Sequence, residues 1–224
     1  MPRHMQRELE NLRKKILTLS TIIEENVYKS VKSFMEKDSD LANKIIEMDH
    51  EIDLMEIAVE EECLKILALH QPVAVDLRFI VAILKLNNDL ERIGDMAVNI
   101  SERAVSVSAY NNQELPFDFS NMAEKVEIML KKSLDALVGM NPVLAQEVCD
   151  ADDEIDSIYS NIRGIINNQI TNYPDRVDFL LSSLSVACCL ERIADHTTNI
   201  AEDVIYMTEG QIIRHRLNEN RIYG

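Results

Sequence analysis

Leu90-Glu91-Arg92-Ile93-Gly94-Asp95 returns a hundred positions later as Leu190-Glu191-Arg192-Ile193-Ala194-Asp195. The register holds beyond the core of the motif: Asn99-Ile100 matches Asn199-Ile200, and Glu102 matches Glu202. Eight of the thirteen positions from Leu90 to Glu102 are identical to their partners. An earlier echo sets Asp49-His50-Glu51-Ile52-Asp53 against Asp152-Asp153-Glu154-Ile155-Asp156, offset by 103. The second copy is therefore shorter by three residues between the echoes, around Gln71-Pro72 and Tyr173-Pro174, where a loop absorbs the change. The chain is one unit used twice, and that repeat governs every other reading.

Working outward, breakers divide the chain into six predicted helices. The first spans about residues 5–36. Asp38-Ser39-Asp40 offers N-caps for a second, about 41–69, which Pro72 ends. A third spans about 75–109. The polar run Asn111-Asn112-Gln113-Glu114-Leu115-Pro116 then separates the halves. A fourth spans about 121–138, with Gly139 as its stop. Asn141-Pro142 restarts the chain, with Asn as cap and Pro at the first helical position, for a fifth helix to about 171. Pro174 interrupts it, and a sixth spans about 175–209. The polar tail from Gln211 to Gly224 is expected to fray. The fold expected is all-α: two tandem antiparallel three-helix bundles, the first repeat in residues 1–113 and the second in 117–224.

Composition agrees. Hydrophobic residues make up 46% of 224, enough for a core, with five glycines, five prolines and no tryptophan. The abundant Leu, Ile, Ala, Glu, Lys and Met are residues that lose least on entering a helix. No apolar run approaches the roughly 20 residues needed to span a bilayer, and no signal peptide opens the chain. Cys63, Cys149, Cys188 and Cys189 show no CxxC spacing and read as small core hydrophobes in a reduced cytoplasm. The formal charge of −16 argues against nucleic acid or anionic lipid as direct partners and suits cations or basic protein surfaces.

The repeated motif carries a pattern with chemical content. At ~100° per residue, Leu86, Leu90, Ile93, Ala97 and Ile100 fall on one side of the third helix, and Asn88, Glu91, Asp95, Asn99 and Glu102 on the other. The sixth helix repeats the polar side with Glu191, Asp195, Asn199 and Glu202, with Cys188 replacing Asn88. A solvated face is the ordinary fate of such a stripe. Yet the copies have diverged at most positions while retaining the same acids. Glu91 and Asp95 also repel one another at i,i+4. Arg92, Arg192 or a bound cation would compensate, and carboxylates without cysteine suit Mg, Mn, Fe or Zn. Asp49, Asp53 and Glu56 on the second helix, with Asp152, Glu154 and Asp156 on the fifth, face the motif acids if neighbouring helices lie side by side. Otherwise they are edge charges.

At this point the chain resembles a family. The paired motifs look like the E(D)xxxD motifs of the PhoU family of phosphate-uptake regulators. Asp76-Leu77-Arg78 after Gln71-Pro72 resembles its turn before the third helix, and Asp49 with Ile52-Asp53 its second-helix pattern. The resemblance covers nearly the whole chain. It implies a cytoplasmic, non-enzymatic bundle that represses the phosphate-starvation response through the phosphate ABC transporter's ATPase subunit and a membrane sensor histidine kinase. A homodimer is expected as well. Some members carry multinuclear iron or zinc clusters on these motifs. Glu91, Asp95, Glu191 and Asp195 inherit that role here, with Asp49, Asp53, Asp152 and Asp156 as supplementary ligands. Iron or zinc stands ahead of manganese or magnesium. Two departures stand out: Met96 occupies a position where members often have His, as His196 does in the second copy, and Asp76-Leu77-Arg78 has no close match after Pro174.

Two alternatives compete. A di-iron oxidase needs two Glu-x-x-His motifs; Glu47-Met48-Asp49-His50 supplies one, and Glu191 lacks its His. A metal-free helical adaptor differs from a metalloregulator only in what the acids bind. No Gly-rich phosphate loop and no Ser/His or Cys/His arrangement points to an enzyme. His50, His70 and His196 read as surface or loop residues.

Overall fold

The computed structural model describes residues 3–110 and 113–210. The breakers read from the sequence set the helix ends: α1 Arg3–Glu36, α2 Ser39–His70, α3 Ala74–Val107, α4 Ser120–Gly139, α5 Pro142–Asn172 and α6 Val177–Glu209. No strand occurs among the described residues. Asp38 caps α2, accepting hydrogen bonds from the Asp40 and Leu41 amides, and Asn141 caps α5 through the amides of Val143 and Leu144. Each cap satisfies donors that a helix start leaves unpaired.

Three ends differ from the sequence expectation. Met140, with φ of 47°, takes the left-handed stop after α4, and Gly139 is still helical. The Asn141 amide reaches back to the Ala136 carbonyl, so this turn is set one residue later than glycine preference suggests. The third helix tightens after Val107 into a 3-10 turn, Ser108–Tyr110. The sixth is preceded by another, Pro174–Arg176, in which the Arg176 amide donates to the Tyr173 carbonyl at 3.0 Å. The tail expected to fray lies outside the described residues.

In each half three antiparallel helices bury their apolar stripes, and α3 and α6 also pack on each other, joining the two bundles along a main seam, with a smaller contact between α1 and α4. Leu86, Leu90, Ile93, Ile100, Leu190, Ile193 and Ile200 are wholly buried, which places the polar sides of α3 and α6 at the seams with α2 and α5. Polar links also cross the α3–α6 seam. Asp89, 8% exposed, lies 2.9 Å from His196 Nδ1 and accepts a hydrogen bond from Asn199 at 3.2 Å, and Lys85 pairs with Asp203 at 3.1 Å. His196 is thus an internal strut and not the surface residue expected. His70 is likewise engaged, 2.6 Å from Glu8 on α1; His50 is exposed. Cys63, Cys149 and Cys189 are buried free thiols, their pKa values pushed up to about 12, 12 and 11 chiefly by burial, whereas Cys188 is only half-buried beside Tyr159.

The repeat suggests one substitution. Gly94 is buried in mid-helix where the second copy has Ala194. A methyl at Gly94 would meet only Ile52 Cγ2, at 3.7 Å, an ordinary contact. Gly94→Ala is expected to stabilise the protein by about 0.5–1 kcal/mol by removing backbone freedom from the unfolded chain. An unchanged or lower urea midpoint would show that the α2–α3 approach has no room for it.

Candidate functional site

The motif acids lie where α2 meets α3 and where α5 meets α6. In the first half, Asp49, Asp53 and Glu56 from α2 face Glu91 and Asp95 from α3 closely enough to perturb one another. Burial pushes the Asp49 carboxyl up, and Asp53 and Asp95 add repulsion. Burial raises Glu91 too, reinforced by Asp95, Asp53 and Asp49, with Arg92 opposing. Glu56 is raised by burial, Glu60, Glu91 and Asp53. The α2 acids thus lie beside the motif acids, as expected if α2 and α3 run side by side, with Asp49 and Glu56 partly buried and Asp53 at the exposed edge.

The second half repeats it. Asp152 is pushed up to about 6, first by burial and then by Asp195, Asp156 and Asp153, while a hydrogen bond with Thr198 pulls the other way. Asp195 is also pushed up to about 6, by burial, Glu191 and Asp156 against His196 and Arg192. Glu191 rises by burial, Asp156 and Asp152. Asp53 and Asp156 are exposed, and Asp195 is buried on its carboxyl side only, so each field opens to solvent on one flank.

Compensation is incomplete. Arg92 Nη1 reaches Asp95 Oδ2 at 3.5 Å, and its Nε stands 3.3 Å from Glu91 Oε2. Glu91 Oε2 nevertheless accepts no hydrogen bond, and neither does Asp152 Oδ1, although both atoms are buried. Two unsatisfied carboxylate oxygens, at matching seams in the two halves, cost stability unless something satisfies them. The donor set, all carboxylate, fits a hard or borderline cation. As the side chains stand, no three His, Cys, Asp or Glu among the described residues form a ready ligand set. Two polar contributors escaped the sequence reading. Asn87 donates to the Glu56 carboxylate at 2.9 Å and to its backbone carbonyl, fixing that acid's position. Thr198 sits by Asp152. Neither carries a spacing signal, since Thr198 corresponds to Val98 in the first copy.

The raised carboxyls have a pH signature. A carboxyl with a raised folded-state pKa binds its proton more tightly in the folded chain than in the unfolded one. Its contribution is therefore greatest in acid and is lost as pH climbs from about 4 through about 6. The unfolding midpoint of metal-free protein is expected to fall between about pH 4 and pH 6, and Asp152→Asn to flatten that slope and raise the neutral-pH midpoint. An unaltered slope in the variant would remove Asp152 as its source.

Comparison with known proteins places this geometry. The family model described as the PhoU domain matches the chain twice, over residues 16–104 and 119–204. The phosphate-specific transport system accessory protein PhoU homolog of Clostridium acetobutylicum is 36% identical over 205 residues, covering 91% of this chain and 94% of the relative. The crystal structure of PhoU from Pseudomonas aeruginosa superposes with a TM-score of 0.88 at 34% identity, covering 92% of this chain and 99% of that one. The phosphate transport system regulatory protein PhoU from Streptococcus pneumoniae gives 0.82 at 28% identity, covering 93% and 98%.

Proposed function

The chain belongs to the PhoU family, and we propose that it is an accessory protein of phosphate-specific transport that restrains the phosphate-starvation response by contact with partner proteins. The observation that carries this reading is the double PhoU-domain match over both repeats, each with its acidic field in place. The partners are the ATPase subunit of a phosphate ABC transporter and a membrane sensor histidine kinase, and the protein acts in the cytoplasm, as a homodimer. No described helix is long and apolar enough to cross a membrane. Nothing in the fields resembles a nucleophile with its base, so the protein is read as a regulator and not an enzyme.

The second part of the proposal is that the fields bind metal, iron or zinc first, manganese or magnesium next. Glu91 and Asp95 would hold it in the first repeat and Glu191 and Asp195 in the second, with Asp49, Asp53, Asp152 and Asp156 supplementing them. The support is chemical: buried carboxylate oxygens that accept no hydrogen bond, and mutual repulsion that Arg92 and Arg192 offset only in part. A bound cation would relieve both.

Deleting the gene is expected to switch on a phosphate-starvation reporter in phosphate-rich medium. The purified protein is expected to bind the ATPase subunit or the kinase more weakly as salt rises, because its charge of −16 steers basic surfaces. A reporter that responds to phosphate identically with and without the gene would end the regulatory reading.

A further inference from the structure

A second surface, remote in sequence from the motif acids, lies between α1 and α4. Two adjoining cavities, of about 570 and 370 Å³, share Tyr28 and Glu127 and run on along one groove. Its floor is apolar: Val31 and Ala123 are 3% and 5% exposed, Met35 is half-buried, and Tyr28 stands 53% exposed on the wall. At one end Phe34 and Phe119 meet edge to face, with centroids 5.1 Å apart. The rim is acidic. Glu24, Glu25, Glu36, Glu124 and Glu127 line the cavities against a single base, Lys32. Of these, Glu25 is paired with Lys29 at 2.7 Å. Glu127 is half-buried, and its carboxyl is raised by burial and by Glu124 and Glu24, with no cation acting on it.

A lining that spans Thr21 to Glu36 on α1 is about 22 Å long at ~1.5 Å per residue, the length of a helix of about 15 residues. A groove between two helices, apolar below and charged at the edges, is shaped for a third helix laid along it. We infer that the α1–α4 groove is a docking site for a basic amphipathic helix of a partner protein, its apolar side on Tyr28, Val31 and Met35 and its lysines or arginines against Glu24, Glu124 and Glu127. Charge complementarity decides the occupant. A second copy of this acidic chain would bring like charge to the rim, whereas a basic helix supplies the cations that Glu127 lacks. The inference stands on the groove alone and does not depend on the acidic fields or on metal.

The probe is a labelled synthetic peptide of about 15 residues, Leu at i, i+3, i+4 and i+7 and Lys opposite, with a scrambled peptide of equal composition beside it. Binding is read by fluorescence anisotropy at two salt concentrations. The patterned peptide is expected to bind and to weaken with salt. Glu124→Gln/Glu127→Gln and Tyr28→Ala, changes at partly exposed positions, are each expected to weaken it roughly tenfold. Glu60→Gln/Glu61→Gln, which removes the same charge from the exposed face of α2, should leave it within about twofold. Equal binding of the scrambled peptide, or equal effects of the two charge variants, overturns the inference. So does a homodimer that Tyr28→Ala dissociates, because the groove would then be occupied by a second copy. The reporter experiment above is untouched by any of these outcomes, so the groove and the regulatory reading fail separately.

Discussion

Adding iron(II), zinc or manganese to the metal-free protein is expected to raise its unfolding midpoint by roughly 5–10 °C. Ligand that binds only the folded state stabilises it by RT ln(1 + [L]/Kd), about 2.7 kcal/mol at a hundredfold excess over Kd, and each kcal/mol moves a chain of this size roughly 2–4 °C. The gain has a local origin. Asp152 Oδ1 is buried without a hydrogen bond, Glu91 Oε2 has only the poorly aligned Arg92 guanidinium at 3.3 Å, and their acidic neighbours repel both. Glu91→Gln/Asp95→Asn removes the first field and Glu191→Gln/Asp195→Asn the second, so each variant is expected to lose part of the shift and the fourfold variant nearly all. These variants should also start from a higher metal-free midpoint, since they relieve the repulsion. A shift equal in parent and fourfold variant would place the metal elsewhere. No shift in either would leave the fields as strained acid faces without a cation.

The largest destabilisation is expected from Phe179→Ala. Phe179 is fully buried at the start of α6, where three connections converge. Tyr110 packs tilted against its ring at 5.6 Å, and the Lys37 ammonium and Arg176 guanidinium lie 5.4 and 5.5 Å from its centroid. Lys37 also donates to the carbonyls of Tyr110 and Gln113, and Arg176 to the Gln113 side chain and the Glu114 carbonyl. Removing the ring opens a cavity and strips two cations of their aromatic face. Truncation of a buried phenylalanine costs about 3–5 kcal/mol, a fall of roughly 10 °C in midpoint. A loss below about 1 kcal/mol would mean that this end is held by its hydrogen bonds alone.

Local features of the fold were legible because they are written locally. Pro72, Asn141-Pro142 and Pro174 act on the residues beside them, and the spacing of Leu90, Ile93, Ala97 and Ile100 fixes a buried side without knowledge of what buries it. The acidic stripe was legible for the same reason. Its opposition to Asp49 and Asp152 required the packing register of α2 on α3 and α5 on α6, which spacing along one helix leaves conditional. The rotamers that carboxylates adopt around a cation are set in large part by the cation. The joining of the halves was not legible. Asp89 meets His196 across 107 positions, with no periodicity to announce it. The only trace was that Met96 and His196 disagree between copies, as do Asp89 and Cys189. The α1–α4 groove was hidden differently: Tyr28, Val31 and Met35 lie at helical spacing on α1, and only the placement of α4 decides that Val31 is covered while Tyr28 stands open on the wall.

That disagreement between copies has a consequence for how chains recognise themselves. Two similar halves in one polypeptide invite a mistake in which the first half of one molecule closes on the first half of another. At an offset of 100, such a pairing would set Asp89 against Met96, and Lys85 against Arg103. A carboxylate that is 8% exposed would keep an asparagine amide, since Asn99 stands where Asn199 does, but would lose its imidazole to a thioether, and two cations would be brought together. A buried charge short of a partner and a like-charge contact are each costly. The seam therefore works as a lock with unlike wards: Asp89 and Lys85 on one side are matched by His196 and Asp203 on the other and not by Met96 and Arg103, so a chain that carries both halves is favoured to close on itself over a neighbour.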